Sequence, residues 1–384
     1  MPAFITAMKR AATSFNPPTL PKDGTPLKFG IISTADISIQ ALILPARSHP
    51  GVEIYAIAGR SLENTERFAK KHGIKKVYGG KDAYQALVED PEVDVVYIPL
   101  PNIMHYEWTM RSLNAGKHVL VEKPIAMRSE EARRVHELAE AKGLVLMEAM
   151  HIRFHPAVAR LKEIIARGDI GAIKHISSTM FLPSLAGALY TDEKFALGKG
   201  CMMDVGCYAI EIIRLASSSD PIAVTTAEFD NDVHHVHNMD DNARGTLQLP
   251  NGVTADFASR ISVPPKFGII PKLNFGVEVV GDKGTAKLTE YMIPQVYHSI
   301  VVTDTAGKKT VHKAYTFSDG DGTRPVGEPW WSTYRHQLEA FVTKIKGNEP
   351  RTWMTKEDSI TVMQVIEQVY EKMGLEARPK SPYV

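Results

Sequence analysis

The stretch KHVLVEKPIAM, residues 117–127, decides how this chain is interpreted. Its run Val119–Val121 is typical of a strand that is buried on both faces of a parallel sheet. Glu122-Lys123-Pro124 follows directly, and charged side chains are unusual at the end of a core strand. In doubly wound sheets, ligands bind beyond the carboxyl ends of the strands. The stretch therefore predicts a buried parallel strand that brings Lys123 to a ligand site, where Pro124 keeps the lysine extended.

Similar apolar runs occur on both sides of this stretch. They are LKFGIIS (27–33), VEIYAIAGR (52–60), VDVVYIPLP (93–101) and LVLMEAM (144–150). Helix-like segments between them, such as SLENTERFAKKHG (61–73) and SEEARRVHELAEAKG (129–143), end at glycines. This alternation predicts an N-terminal Rossmann domain, a doubly wound parallel sheet, over residues 27–150.

The pattern changes after residue 150. Two helix-like segments lead into alternating runs, which are VTTAEFD (224–230), ARGTLQL (243–249), VTADFASRIS (253–262), LNFGVEVVGDKGTAKLTE (273–290) and SIVVTDTAGKKTVHKAY (299–315). They predict an α+β domain over residues 151–384, with a large, open and mostly antiparallel sheet. Its final helices are expected to pack back on the first domain. Residues 1–26 form an N-terminal arm in this interpretation, rather than a transit peptide.

Charge and cysteine content exclude several classes of function. The 45 basic and 44 acidic side chains nearly cancel, so no basic field predicts binding to nucleic acid or to an anionic membrane. No apolar run approaches the roughly 20 residues that span a bilayer. Cys201 and Cys207 are the only cysteines, which excludes a disulfide framework. A reducing compartment, the cytoplasm, is therefore predicted.

The turn after the first strand is the expected phosphate-binding site. A dinucleotide-binding fold normally places glycines there, because the backbone approaches the pyrophosphate closely. Here the turn reads Ser33-Thr34-Ala35-Asp36-Ile37-Ser38, so that Ser33, Ala35 and Ser38 occupy the three glycine positions. Small side chains still permit the approach, and the hydroxyls can donate to phosphate. The alternative is an ordinary turn from a strand into a helix.

The end of the second strand indicates which cofactor binds. NAD sites place Asp or Glu there to hold the ribose 2′-hydroxyl, whereas this chain has Arg60 and Ser61. A guanidinium and a hydroxyl bind a 2′-phosphate that a carboxylate would repel. We therefore predict NADP, with NAD as the less favoured cofactor. The alternative is that Arg60 merely faces solvent.

A second pair of reactive side chains lies far along the chain. Asp204 and Tyr208 are four residues apart in an otherwise apolar helix-like segment, so both can lie on one face. The helix dipole would favour the anionic form of Asp204. A nearby lysine would lower the pKa of Tyr208 and allow it to transfer a proton. The alternative for Tyr208 is a core tyrosine.

Three other patterns favour structural roles. Asp232, His234, His235 and His237 invite a metal site, but an extended strand aligns at most two of them, and no metal is predicted. The helical spacing of Cys201 and Cys207 favours core thiols over a redox or metal pair. Trp330 and Trp331, ahead of Tyr334 and Arg335, are expected to pack rather than to stack on a sugar.

Together these motifs resemble the Gfo/Idh/MocA oxidoreductase family over residues 27–379. The resemblance rests on Glu122-Lys123-Pro124, Pro101-Asn102-x-x-His105, Glu148 with Arg153-Phe154-His155-Pro156, and Asp204-x-Gly206-x-Tyr208. The branch of NADP-linked D-xylose 1-dehydrogenases and dimeric dihydrodiol dehydrogenases looks closest, since Tyr rather than His occupies position 208. The chain departs from the family in its turn at Ser33, which contains no glycine.

The resemblance implies roles for these residues. Lys123 and Tyr208 would be the catalytic pair, with Asp204 helping to bind the substrate beside Arg153 and Phe154. The resemblance also implies a homodimer formed through the C-terminal sheet. The residues implied to line the cofactor, in addition to those at the first two strand ends, are Pro99, Leu100, Pro101, Asn102, His105, Glu122 and Lys123.

The predicted reaction is oxidation of an aldose at C1, with D-xylose as the first candidate, to its lactone with NADP as hydride acceptor. The alternatives within the family are a trans-dihydrodiol, a cyclitol or an anhydro sugar as substrate. A protein that senses NADP without catalysis is the alternative from another class. The intact set of Lys123, Asp204 and Tyr208 argues against such a sensor.

Overall fold

The structure is a computed structural model that describes residues 2–183, 192–230, 238–263, 273–318, 324–376 and 378–383. The chain divides into two compact units, and each draws on distant parts of the sequence. The first unit contains residues 1–151, 330–359 and 380–384. The second unit contains residues 152–329 and 360–379.

The first unit is built on a six-stranded parallel sheet with the strand order β3-β2-β1-β4-β5-β6. The strands are β1 (Leu27–Ile32), β2 (Val52–Gly59), β3 (Lys76–Gly79), β4 (Val95–Ile98), β5 (His118–Val121) and β6 (Leu146–Glu148). The central strands β4 and β5 are almost entirely buried. This confirms the predicted doubly wound sheet, although β3 was not predicted.

Helices and a packed aromatic pair complete the first unit. Its helices are α1 (Pro2–Phe15), α2 (Leu44–Arg47), α3 (Leu62–His72), α4 (Ala83–Val88), α5 (His105–Asn114), α6 (Ser129–Lys142) and α10 (Thr333–Ile345). The predicted glycine ends of α3 and α6 are confirmed, because Gly73 and Gly143 have φ values of 72° and 64°. Phe341 of α10 packs edge-on against Phe29 of β1.

The second unit is built on an eight-stranded sheet with the order β14-β13-β12-β11-β7-β10-β9-β8. Its strands are β7 (Ile173–Pro183), β8 (Ala223–Asp230), β9 (Asn242–Gln248), β10 (Thr254–Val263), β11 (Asn274–Gly281), β12 (Gly284–Thr289), β13 (Ser299–Asp304) and β14 (Lys309–His312). Only the β7–β10 pair is parallel among these strand pairs. The predicted mostly antiparallel sheet is therefore confirmed, but its central strand β7 was not predicted.

The remaining elements are α7 (Pro156–Ala166), α8 (Asp192–Ala196), α9 (Cys207–Ser217), the strand pair β15 (Phe317–Ser318) and β16 (Pro325–Val326), and α11 (Lys356–Lys372). Helix α11 begins in the first unit's share of the chain and ends in the second's. One face of the eight-stranded sheet is covered by helices, where α7 and α9 pack on β12, β7 and β10. Among the described residues, no helix is both long and apolar enough to cross a bilayer.

Candidate functional site

The predicted cofactor residues lie where strands of the first unit end. Because all six strands are parallel, their carboxyl ends meet at one edge of the sheet. β1 ends before Ser33, β2 before Arg60, β4 before Pro99 and β5 before Glu122. The sheet therefore brings the four predicted cofactor segments to one edge, which is where doubly wound folds bind their ligands.

The turn after β1 has the backbone shape that a glycine normally provides. Ser33 has a φ of 139°, a region that side chains other than glycine rarely occupy. Its Oγ accepts a hydrogen bond from the backbone N–H of Ala35 at 3.0 Å, which offsets part of the strain. Asp36 and Ile37 are exposed, and Ser38 is fully buried. The turn thus keeps a glycine-like backbone although it contains no glycine.

The end of β2 lies against this turn. A Cβ on Gly59 would lie 3.4 Å from Cγ2 of Thr34, so the two strand ends are in close contact. Arg60 is exposed. Ser61 is the N-cap of α3, and its Oγ accepts a hydrogen bond from Asn64 N–H at 3.3 Å. A guanidinium, a hydroxyl and a helix N-terminus at this position form an electropositive corner.

Glu122 and Lys123 follow β5, and Glu122 is held in the interior. Tyr97 of β4 donates a hydrogen bond from its Oη to Glu122 Oε1 at 2.7 Å. Burial raises the pKa of Glu122 above its usual range, and Tyr97 and Lys123 partly offset this effect. Lys123 is half-buried, and its peptide bond to Pro124 is cis. The segment is therefore built into the core with its lysine at the edge of the sheet.

His105 joins the loops that follow β4 and β5. Its Nδ1 lies 2.7 Å from the carbonyl oxygen of Pro124, and its Nε2 lies 2.8 Å from that of Leu100. The ring is fully buried, Pro99 and Asn102 are buried, and Pro101 is half-buried. The structure thus places His105 as a link between the two loops, and its implied contact with the cofactor stays a prediction.

Two further residues, His151 and Tyr334, lie near Lys123, and no catalytic or binding role was predicted for either of them. His151 is buried, its ring stacks at 4.0 Å from the ring of Tyr334, and its Nδ1 lies 2.8 Å from Thr333 Oγ1. Burial and then the charge of Lys123 lower the pKa of His151 to about 3, so this ring is neutral. Burial and the charge of Glu122 raise the pKa of Tyr334.

These contacts place the start of α10 beside the Glu122-Lys123 segment. No sequence signal joins positions 122 and 334, because a contact between such distant residues is set by the fold. The neighbouring Trp331 packs as predicted against a side chain of its own unit, since the guanidinium of Arg335 lies 3.8 Å from its ring centroid.

The second unit presents Asp204 and Tyr208 at the start of a helix. A π-turn spans Met202–Gly206 and leads into α9, whereas a regular α-helix was predicted there. Asp204 Oδ1 accepts a hydrogen bond from Lys199 Nζ at 3.0 Å, and the Asp204 side chain is 17% exposed. Tyr208 is largely buried. The acid therefore stands in an ion pair that the sequence did not indicate.

Arg153 and Phe154 are buried in the second unit. Arg153 lies 3.4 Å from the fully buried carboxylate of Glu211, which also pairs with Arg214 at 2.9 Å. Phe154 is 2% exposed. These placements give both residues a packing role in this unit, and their predicted contact with substrate stays a prediction.

The alternatives at the cysteines and histidines have different outcomes. Cys201 and Cys207 are buried free thiols, and burial raises the pKa of Cys201, as expected for a core thiol. Asp232, His234, His235 and His237 lie outside the described residues. Within the described ranges, no group of three or more His, Cys, Asp or Glu is arranged to hold a metal ion.

Both halves of the chain match family models. Residues 27–150 match a model described as an oxidoreductase family with an NAD-binding Rossmann fold. Residues 158–287 match a model of the GFO/IDH/MocA C-terminal domain.

Named relatives cover most of the chain. A D-xylose 1-dehydrogenase (NADP(+)) of Haloferax volcanii is 31% identical over 90% of this chain and 97% of its own length. A trans-1,2-dihydrobenzene-1,2-diol dehydrogenase of Bos taurus is 31% identical over 69% of this chain and 74% of its own. A crystal structure of a 3-ketoreductase from Actinomadura kijaniata, in complex with TDP-benzene and NADP, is 25% identical with a TM-score of 0.72, covering 90% and 97% of the two chains.

Proposed function

Since this chain belongs to the Gfo/Idh/MocA family of oxidoreductases, we propose that it is an NADP-dependent dehydrogenase that oxidises an aldose, D-xylose first, at C1 to the lactone. The observation that carries this proposal is the Glu122-Lys123-Pro124 segment at the carboxyl end of β5. Tyr97 and His105 hold that segment in place. The relative from Haloferax volcanii, named as an NADP-linked D-xylose dehydrogenase, supports the choice of substrate and cofactor.

The residues at the edge of the parallel sheet fit NADP. The turn at Ser33 offers backbone and hydroxyl donors to the pyrophosphate, and Arg60 with Ser61 suits a 2′-phosphate because no carboxylate stands at the end of β2. Pro99–Asn102, Glu122 and Lys123 would line the rest of the cofactor. Bound NADP supplies a nicotinamide ring that accepts a hydride.

Three side chains of this protein carry out the remaining chemistry. Tyr208 takes the proton of the C1 hydroxyl, and the ammonium group of Lys123 stabilises the oxygen as negative charge develops on it. Asp204 accepts a hydrogen bond from a neighbouring sugar hydroxyl, with Lys199 holding its carboxylate. The C1–H bond breaks as the hydride leaves, and the C1–O bond becomes the lactone carbonyl. Arg153 and Phe154 would shape the substrate side.

A trans-dihydrodiol is the second candidate substrate, supported by the relative from Bos taurus. A cyclitol or an anhydro sugar would use the same three side chains. Assays with a panel of aldoses, cyclitols, an anhydro sugar and a trans-dihydrodiol, each with NADP and with NAD, separate these substrates by NADPH absorbance. Cofactor binding without turnover of any of them would instead favour a sensor.

Substitutions of the catalytic pair test the mechanism. We expect Lys123→Met and Tyr208→Phe each to lower kcat by about 100- to 10,000-fold, because each removes a group that acts in proton transfer. Lys117→Met and Tyr291→Phe are the matched controls. Lys117 and Tyr291 are buried, and both donate to backbone carbonyls, but neither is assigned to the reaction. If the catalytic variants retained wild-type kcat, the mechanism would be wrong.

We also propose a homodimer formed through the face of the eight-stranded sheet opposite α7 and α9. That face carries many small or polar side chains, which allow a second sheet to approach; they include Ser177, Thr179, Thr246, Ala258, Gly276 and Thr289. Thr226, Arg244 and Asp256 on the same face are exposed.

The free thiols at positions 201 and 207 fit the predicted cytoplasmic location.

A further inference from the structure

Arg378 is an arginine buried in the second unit, and no sequence pattern singled it out. Its side chain is 0% exposed, and its guanidinium stacks 4.3 Å from the ring centroid of Tyr370 and 4.7 Å from that of Phe195. Such complete burial of an arginine requires partners for its N–H groups. Nε donates to the carbonyl of Lys199 at 3.1 Å, and Nη1 donates to the carbonyl of Asn238 at 2.8 Å.

The charge of Arg378 is balanced by Asp240. Arg378 Nη2 lies 2.6 Å from Asp240 Oδ1, and both side chains are 0% exposed. The other carboxylate oxygen of Asp240 accepts the backbone N–H of Met202 at 2.6 Å, and its backbone carbonyl accepts that of Cys201 at 2.8 Å. These are first-turn N–H groups of the helical segment that continues to Asp204 and Tyr208, and they have no partner within the helix. Asp240 therefore caps this segment from a distant part of the chain.

Gly200 shows how closely the pair fits the start of the helix. Its φ is 152°, and a Cβ at this position would collide with Arg378 Nη2 and Asp240 Oδ1. The backbone at position 200 therefore approaches the ion pair more closely than a residue with a side chain would allow. One residue earlier, the carbonyl of Lys199 accepts a hydrogen bond from Arg378, and its ammonium group donates one to Asp204.

We propose that Asp240 and Arg378 are positioning residues that fix where Asp204 and Tyr208 lie. This inference rests on the proposed function, in which those two side chains meet the substrate. Replacing a buried ion pair by neutral residues is often harmless to stability, so stability alone does not explain this pair. It does supply rigidity, because one planar guanidinium fixes two carbonyls and a carboxylate at once. A misplacement of about 1 Å at a catalytic group can cost about 100-fold in rate.

The test compares variants of the intact protein. Arg378→Lys keeps the charge but cannot reach all three acceptors, so we expect kcat to fall about 10- to 100-fold while the Kd for NADPH stays unchanged. In the double variant Asp240→Asn/Arg378→Met, both charges are gone, so we expect the Tm to recover relative to Arg378→Met while kcat stays low. Lys117→Met is the control for the loss of a buried cation, with a lower Tm and unchanged kcat.

Hydrogen exchange gives a second measurement that does not depend on turnover. In Arg378→Lys we expect the amides of residues 201–208 to exchange at least about tenfold faster, since their cap is loosened. Unchanged exchange there, or wild-type kcat in Arg378→Lys, would overturn the positioning role. A wild-type protein that oxidises nothing on the substrate panel would overturn the proposed function instead, and the exchange result would still decide the role of the pair.

Discussion

Arg60 is the residue proposed to select NADP over NAD. It is exposed at the end of β2, beside Ser61 and the start of α3. A charged hydrogen bond to a 2′-phosphate contributes about 1.5–3 kcal/mol, which is a factor of roughly 10 to 150 in affinity. We therefore expect Arg60→Ala to raise the KM for NADP by about that factor and to leave the KM for NAD nearly unchanged.

Steady-state kinetics with both cofactors measures this preference. Arg67→Ala is the matched control, because Arg67 is another exposed arginine of the same unit, and its contact is with Asn64 within α3. An equal rise in KM for both cofactors in Arg60→Ala would mean that the guanidinium does not recognise the 2′-phosphate.

Single residues were predictable where the chemistry is local. Lys123, Ser33 and Arg60 each follow a strand whose apolar pattern is visible in the sequence, and each lies at the predicted edge of the sheet. The role of His105 was less predictable. Its ring contacts the carbonyls of Leu100 and Pro124, and a sequence pattern does not reveal contacts with backbone groups.

At the scale of elements, His105 couples the loops after β4 and β5. A neutral imidazole can donate to one of the two buried carbonyls, and removal of the ring leaves that carbonyl without a donor, at a cost of about 1–3 kcal/mol. We expect His105→Phe to lower the free energy of unfolding by about 1–3 kcal/mol and also to lower kcat, because the loop that carries Lys123 loses its support.

Denaturant unfolding and kcat together measure both effects. His118→Gln is the control at the opposite edge of the sheet, where Nδ1 of His118 accepts the backbone N–H of Val145. We expect that variant to change stability without a change in kcat. A His105→Phe protein with normal kcat would show that the loops do not depend on this link.

Elements were predicted well where their periodicity was strong, and missed where it was not. β3 has only four residues at the edge of its sheet, and its sequence KVYG shows no clear alternation of apolar and polar residues. β7 is central, yet its inward positions include Ser178 and its outward positions include His175, so its pattern of apolar and polar residues is weak. The π-turn before α9 was missed because it shares the apolar pattern of an α-helix.

At the scale of the whole molecule, buried histidines set the response to acid. Burial lowers the pKa of His136 to about 4 and that of His151 and His336 to about 3, and all three belong to the first unit. In the unfolded chain these rings titrate near 6.5. Below that pH the unfolded state binds protons that the folded state does not, so stability is lost as the pH falls from about 6.5 toward 4.

We expect the free energy of unfolding of the first unit to fall by up to about 1.4 kcal/mol per pH unit for each of these histidines. Asp240 has the opposite sign, because burial raises its pKa to about 6 and the folded second unit gains a proton first. A fall in pH from 8 to 5 should therefore destabilise the first unit more than the second, and thermal unfolding at each pH measures the difference. His136→Gln should reduce the dependence of the first unit's stability on pH, and only below pH 6.5. An unchanged pH dependence in this variant would contradict the assignment to His136.

The open face of the eight-stranded sheet determines the expected oligomeric state. Ala258 of β10 is half-buried on that face, opposite Arg244 of β9. A charge buried in a dimer interface without a partner is costly, and a lysine at position 258 would stand opposite another cation, Arg244, so we expect Ala258→Lys to convert a dimer to a monomer. Sedimentation velocity measures the change, and Lys309→Glu, exposed on β14 at the edge of the sheet, is the control. A monomeric wild-type protein would contradict the proposed dimer.

Neither compact unit is a continuous stretch of chain, and this has a consequence for biosynthesis. Glu122 interacts with Tyr334, and Asp240 pairs with Arg378, although each partner lies far along the chain. During translation, each partner therefore leaves the ribosome on the order of ten seconds or more after the residue with which it interacts. Until then, the nascent polypeptide carries an uncovered parallel sheet and a helix whose cap lacks its counter-charge. Chaperones would have their greatest effect in this interval.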